Sequence, residues 1–138
     1  MNYFKLSRIV TFTFLLLVFL GTTINAQCTY PVVATNCVGA CGSPTEINYT
    51  ISQPCAAKWR KYCVTNDASS LCPDHNAFAF VLVDGVLVAS GNITTVGSSI
   101  GFQAKCGSTI KVVATTYYVG GPIVCVWLGN VTYSLRQA

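Results

Sequence analysis

Charged side chains are scarce in this 138-residue chain and make up only 9% of its positions. Two of the eight basic residues, Lys5 and Arg8, lie near the amino terminus, so residues 27–138 hold six basic and four acidic residues. The resulting net charge of about +2 is too weak and too scattered for an electrostatic nucleic-acid partner. Because such a surface repels other copies only weakly, self-association or attachment to another surface is an alternative to a free monomer.

The groups that catalysis and metal binding require are equally sparse. The single histidine, His75, follows Asp74, but sequence adjacency alone does not build an oriented base. A Gly-x-Ser-x-Gly motif and a Cys-x-x-Cys pair are both missing from the sequence. Of the four carboxylates, Asp84 and Asp67 fall in predicted turns, and nothing pairs Glu46 with Asp74 as a glycosidase or a calcium site would require. We therefore expect no enzyme activity, no metal and no cofactor.

Long apolar runs are confined to the first residues of the chain. Lys5 and Arg8 precede an apolar stretch at 9–20, which is followed by small and polar residues up to Ala26. This order predicts a secretion signal over residues 1–26, since the apolar stretch is shorter than the roughly 20 residues of a membrane span. We expect residues 27–138 to form one secreted domain without a membrane span, extracellular or, in a bacterial host, periplasmic.

Cysteine, in contrast, is abundant, and every copy follows the predicted signal. The eight positions are Cys28, Cys37, Cys41, Cys55, Cys63, Cys72, Cys106 and Cys125. An even number of cysteines in a short exported chain predicts a disulfide framework, whose connectivity the sequence leaves open. The spacings do not match the paired cysteines of a zinc ribbon. We expect Cys106 and Cys125 not to bond each other and at least one of them to bond a cysteine nearer the amino terminus.

The predicted domain divides into a cystine-rich front, 27–75, and a β-rich back, 76–138. Apolar runs at 77–83 and 86–90 flank Asp84-Gly85, a strong signal for a hairpin with a type I′ turn. The implied register pairs Val83 with Val86, Leu82 with Leu87, and Val81 with Val88. Since both faces of this hairpin are apolar, we expect it to be covered on both faces or to lie at an interface.

Four further strands follow from alternation of apolar and polar residues. Residues 99–105 and 109–118 predict a second hairpin around 106–108, and a last strand covers 123–135. In the front, residues 46–52 alternate, with Ile47, Tyr49 and Ile51 facing inward. The inward positions of the last strand are Ile123, Cys125, Trp127, Val131, Tyr133 and Leu135.

The predicted fold class is therefore mainly β: an antiparallel sandwich or small barrel of about six to eight disulfide-stapled strands. At most one short helix is expected, near 54–63. There, Cys55, Trp59, Tyr62 and Cys63 fit one helix face, while an alternating strand fits nearly as well.

Residues 58–62 form the only dense cluster of aromatic and basic side chains. We predict that Trp59, Arg60, Lys61 and Tyr62 contact a glycan or an anionic surface. The alternative is that Trp59 packs on neighbouring disulfides while the charges provide solubility. Tyr117 and Tyr118, with Trp127, form a second aromatic group that could line a binding surface.

Three Asn-x-Thr acceptors, at Asn48, Asn92 and Asn130, would matter only in a eukaryotic secretory pathway. The sequence as a whole predicts a secreted, non-enzymatic module that binds an extracellular glycan or protein surface, as in adhesion at the cell surface. One alternative is a structural subunit of a surface fibre or coat that self-associates. Another is a rigid inhibitor or effector with a protruding loop near 64–76.

Overall fold

The structure, a computed structural model, describes residues 27–39, 41, 44–52, 58–120 and 129–138. Within these ranges the chain is all β, with eight antiparallel strands and no helix. The strands are β1 (Val32–Gly39), β2 (Thr45–Thr50), β3 (Trp59–Ser69), β4 (His75–Val83), β5 (Val86–Asn92), β6 (Ser99–Lys105), β7 (Thr109–Tyr118) and β8 (Asn130–Gln137). A search of the same residues finds no helix with the length and apolar character of a membrane span.

The strands form two four-stranded sheets. Sheet A has the order β1-β8-β3-β6, and sheet B has the order β2-β7-β4-β5. Apolar residues from both sheets fill the space between them, so the arrangement is the predicted disulfide-stapled β-sandwich. Fully buried members include Val64 and Leu135 from sheet A and Val81 and Val112 from sheet B.

Alternation correctly predicts which side chains enter this core. Ile47 and Ile51 are buried and Tyr49 is half-buried, as expected for the inward face of β2 and the residue after it. Val131, Tyr133 and Leu135 are fully buried on β8. The Tyr133 hydroxyl reaches across to Thr45 Oγ1 at 3.0 Å, and burial raises the pKa of this tyrosine, which keeps the hydroxyl protonated. Ile123, Cys125 and Trp127 lie outside the described residues.

The Asp84-Gly85 hairpin is confirmed as the β4–β5 connection. Asp84 and Gly85 have φ values of 51° and 81°, as a type I′ turn requires. Val83 pairs with Val86 and Leu82 with Leu87, as predicted. The predicted partner of Val81 is wrong, because a register shift next to Leu82 pairs Val81 with Ala89 instead. Val88 is the extra residue on the β5 side.

The second predicted hairpin, between residues 99–105 and 109–118, does not form. The bounds of β6 and β7 match the two predicted strands, but β6 pairs with β3 in sheet A, whereas β7 pairs with β2 and β4 in sheet B. The segment Cys106–Ser108 is therefore a connection between sheets. Alternation cannot distinguish the two arrangements, because it reports which face of a strand is buried and not which strand lies beside it.

Near 54–63, where the sequence leaves both a short helix and a strand open, the described residues form a strand. From Trp59 onward the chain is the extended strand β3, which continues to Ser69. The strand alternative was correct here, because β3 gains partners on both sides, β6 and β8. Asp67 accordingly lies in a strand and not in a turn. The loop expected at 64–76 is limited to the residues between β3 and β4.

The disulfide framework is confirmed in its described part. Cys28 bonds Cys63, and Cys37 bonds Cys41. Cys72 and Cys106 are also disulfide-bonded. Cys55 and Cys125 lie outside the described residues. The Cys28–Cys63 bond has the clearest consequence for the surface, because it fastens the segment that precedes β1 onto the outer face of β3.

Candidate ligand-binding groove

The outer face of sheet A presents a row of polar and aromatic side chains at β3 and β6. Trp59 pairs with Lys105 and Lys61 pairs with Gln103, so the four side chains lie on the same face. Trp59 is 58% exposed, and Lys61 is exposed as well. Pairing between two strands that are distant in sequence thus extends the predicted cluster by two residues.

An amino-terminal segment, residues 27–31, lies over this face and forms a wall. Its Cys28 is bonded to Cys63 of β3. Arg136 donates from Nη1 to the carbonyl of Tyr30 at 3.1 Å, and Gln137 donates its backbone N–H to the carbonyl of Pro31 at 3.0 Å. One covalent bond and two hydrogen bonds therefore fix the wall to the sheet.

The wall and the sheet enclose an open groove of about 700 Å³, a volume within the range of small-ligand sites. Its floor includes Gly101 of β6, which pairs with Cys63 and leaves the space above it empty of other atoms. The residues that line it are 27–30, 61–63, 99 and 101–103.

Trp59 extends the groove along β3 as an aromatic platform. The Nζ atom of Lys105 lies 4.9 Å from the centroid of the Trp59 ring, a cation–π contact. Trp59, two residues before the groove-lining Lys61, points to the same side of the strand. The contact holds a positive charge beside an exposed aromatic surface.

The four predicted binding residues divide between the two faces of β3. Trp59 and Lys61 face outward with the groove. Arg60 and Tyr62 face the other way, toward the partners Ala104 and Phe102, which are buried. Tyr62 is 1% exposed, and its ring stacks on Phe102 with centroids 5.6 Å apart. Burial raises the pKa of Tyr62, so its side chain acts as a neutral core residue.

Asp74 and His75 form a hydrogen-bonded pair at the end of sheet B. His75 Nδ1 lies 2.8 Å from Asp74 Oδ1, and the imidazole packs edge-on against Tyr118 at 5.7 Å. The two neighbouring residues thus do form a hydrogen-bonded pair, and the backbone N–H of Val119 binds the carbonyl of Asp74 beside it. The contacts described for this imidazole, a carboxylate and an aromatic ring, provide no nucleophile.

The remaining carboxylates also have structural partners. Glu46 Oε2 lies 3.5 Å from Lys111 Nζ, and Asp84 Oδ1 accepts the backbone N–H of Thr109 at 2.9 Å. Glu46 contacts Lys111 and Asp74 contacts His75, so the two carboxylates do not form a pair. Among the described residues, no group of three or more histidine, cysteine and carboxylate side chains could hold a metal ion.

The three glycosylation acceptors lie in unlike surroundings. Asn48 and Asn92 are exposed on strands of sheet B. Asn130 is half-buried, and its Oδ1 accepts the Ser70 hydroxyl at 2.7 Å. The Nδ2 atom of Asn130, to which a glycan would be attached, lies 3.7 Å from Cys41 Sγ.

A second exposed surface, on the outside of sheet B, is apolar. Phe80 is 39% exposed, with its ring centroid 5.0 Å from that of Phe78. On the neighbouring edge strand, Leu87 and Val88 are 57% and 46% exposed. The hairpin that is apolar on both faces is thus covered by the core on one face only. We call Phe78, Phe80, Leu82, Leu87 and Val88 the sheet B patch.

The sequence predicts Trp59 and Lys61 as binding candidates but not the groove that the structure shows beside Lys61. It places Gln103 and Lys105 only in a hairpin with β7, and the wall residues 27–30 carry no recognisable motif. The signal in the sequence that could have identified the wall is Cys28, because a disulfide at this position attaches the segment to another part of the chain.

Comparison with known proteins gives little further information. No protein-family model and no curated protein matches the chain. Among solved structures, the chain is similar to one described as "EclA C-terminal domain; sugar-binding protein", with a TM-score of 0.38 and 9% identity. The match covers 85% of this chain and 87% of that one. Likeness at this level does not bear on what this chain binds.

Proposed function

We propose that this protein is a secreted, non-enzymatic binding module that holds a glycan at the outer face of sheet A, and that it acts in adhesion at the cell surface. The observation that carries this proposal is the groove of about 700 Å³ whose lining residue Lys61 follows the exposed Trp59 by two positions on the same face of β3. Exposure of the apolar indole ring to water is unfavourable, and a ligand bound in an adjacent groove would cover this ring.

The chemistry of the groove suits a saccharide. A sugar ring has one apolar face and a rim of hydroxyl groups. An aromatic ring covers the apolar face, while amides, hydroxyls and ammonium groups bind the sugar hydroxyl groups. Trp59 provides the ring, and Lys61, Gln103 and Ser99 provide polar side chains on the groove side of β3 and β6. The disulfide-fixed wall reduces the ordering cost of binding.

A glycan array with the oxidised secreted protein tests the proposal. We expect defined glycans to bind, and Trp59→Ala to lower their affinity at least tenfold, because the platform is lost. Phe80→Ala is the matched control, since it removes a partly exposed aromatic ring from the other sheet. Absence of any glycan binding, or equal binding by Trp59→Ala and the wild type, would contradict the proposal.

The second candidate function, a self-associating subunit of a fibre or coat, is favoured by the sheet B patch. β5 is an edge strand, and Val86–Asn92 holds no charged residue or proline that would block another strand. If copies assemble through this edge, Leu87→Lys will convert assemblies to monomers in sedimentation velocity experiments. A wild-type protein that stays monomeric at high concentration would exclude this candidate and leave the glycan proposal intact.

A further inference from the structure

We propose that the groove selects glycans that carry carboxylate or sulfate groups. This inference rests on the proposed function and names its ligand class. Its basis is the distribution of charge over the two sheets, together with the positions of Lys61 and Lys105 at the groove and the aromatic platform.

The ten charged residues of 27–138 are segregated by sheet, although the sequence shows them scattered. Five basic residues lie on or directly beside the strands of sheet A, together with one acidic residue, Asp67. Sheet B has one basic residue, Lys111, and three acidic ones on or beside its strands. The net charges are therefore +4 for sheet A and −2 for sheet B. The basic residues of sheet A are Lys58, Arg60, Lys61, Lys105 and Arg136.

The one carboxylate of sheet A does not neutralise the groove. Asp67 Oδ1 lies 2.7 Å from Nη2 of Arg136, so this acidic group is occupied by an arginine on its own face. The other three carboxylates of the chain bind Lys111, His75 and the backbone N–H of Thr109. All four side-chain carboxylates therefore have partners other than Lys61 and Lys105, whose side chains are exposed.

The two lysines are placed for a ligand that lies along β3. Lys105 holds its ammonium 4.9 Å from the centroid of the Trp59 ring, and Lys61 is a lining residue of the groove. A saccharide stacked on Trp59 and continuing into the groove would meet both charges and, between them, the amide of Gln103. Ammonium-to-carboxylate and ammonium-to-sulfate hydrogen bonds are stronger than those to neutral hydroxyl groups, so an anionic saccharide is favoured over its neutral counterpart.

The experiment is an array of matched glycans that share a backbone and differ by a sulfate or by the oxidation of a hexose to a uronate. We expect the anionic member of each bound pair to be preferred about tenfold or more, and the preference to fall as sodium chloride is raised from 0.05 to 0.5 M. Lys61→Gln and Lys105→Gln should each reduce the preference several-fold. Lys111→Gln, the matched control on sheet B, should leave it unchanged.

The outcomes separate the inference from the proposed function. Equal binding of neutral and anionic members, still dependent on Trp59, would overturn the inference and keep the function. Anionic binding that persists in Trp59→Ala would also overturn it, because charge alone would then account for retention. Binding to acidic proteins with no glycan bound would overturn both, as would an array without any signal.

Discussion

Trp59 and Lys105 face each other across β3 and β6, with the ammonium group 4.9 Å from the centroid of the indole ring. The pair joins the start of one strand to the end of another that is distant in sequence. It thereby places a charge, an aromatic surface and the adjoining groove on one face of the sheet.

Gly101 offers a way to close the groove without disturbing the fold. A Cβ atom at this position would have no heavy atom within 4 Å, and the residue lines the groove. We expect Gly101→Phe to abolish glycan binding by filling the groove and to keep the melting temperature within about 3 °C of the wild type, as for other exposed substitutions. Gly101→Ala should bind almost normally. Full binding by Gly101→Phe would place the ligand elsewhere.

The Cys28–Cys63 bond should contribute more to stability than the Cys37–Cys41 bond. Their sequence separations are 35 and 4 residues, so loop-closure entropy predicts losses of about 4 and about 2 kcal/mol for the respective double serine variants. Cys28→Ser with Cys63→Ser should also weaken glycan binding, because the groove wall is released. Chemical denaturation and a binding titration of both variants check the order of stability and the specific loss.

Asp84 should make stability depend on acidic pH. The backbone N–H of Thr109 and, secondarily, the Ser108 side chain hold the pKa of its carboxyl below the ordinary value of 3.8. A carboxyl whose pKa is lower in the folded state stabilises the fold above its unfolded pKa, and this contribution is lost as pH falls from about 4 through the folded pKa. Melting temperatures between pH 6 and 2 should therefore decline less steeply for Asp84→Asn than for the wild type.

Two substitutions at Asp84 distinguish the effect of its charge from the effect of its backbone conformation. Asn tolerates the φ of 51° found at Asp84, and its side-chain oxygen can still accept the Thr109 N–H. Alanine satisfies neither condition, so Asp84→Ala should melt below Asp84→Asn at pH 7. Identical melting curves for the two variants would show that the turn does not depend on this side chain.

Asn66 is a buried polar residue of β3 whose side chain holds the loop that leads from β5 to β6. Its Nδ2 donates to the carbonyls of Ile93 at 2.6 Å and Thr94 at 3.1 Å, and the residue is 1% exposed. Asn66→Ala leaves both carbonyls without this donor and should lower the free energy of unfolding by about 3 kcal/mol. The control Asn48→Ala, at an exposed site, should change it by less than about 0.5 kcal/mol.

A disulfide map should reveal two further bonds, Cys55–Cys106 and Cys72–Cys125. Cys106 Sγ lies 3.8 Å from the carbonyl oxygen of Ser52, three residues before Cys55. At the opposite end of the fold, the backbone of Gly129 packs against Ser70 and Leu71, next to Cys72. Peptide mapping of the non-reduced protein by mass spectrometry checks both pairs. Recovery of a Cys55–Cys72 peptide would contradict the assignment.

The sequence determined the local features, because each depends on residues close together in the chain. Alternation identified the buried faces of β2 and β8, since side chains on a strand point alternately to its two sides. The Asp84-Gly85 turn was predictable because only residues that tolerate positive φ fit its two central positions. The even cysteine count predicted a disulfide framework, and the cluster at 58–62 contained the two outward-facing residues of the groove.

Tertiary structure alone decided which strands are neighbours, and with it the candidate site. The pairing of β6 with β3, rather than with β7, brings Lys105 to Trp59 and Gln103 to Lys61. The Cys28–Cys63 bond turns an unremarkable amino-terminal segment into a wall. The assignment of the strands to two sheets separates ten scattered charges into a basic sheet and an acidic one. Strand order depends on packing between distant segments, and local periodicity carries no record of it.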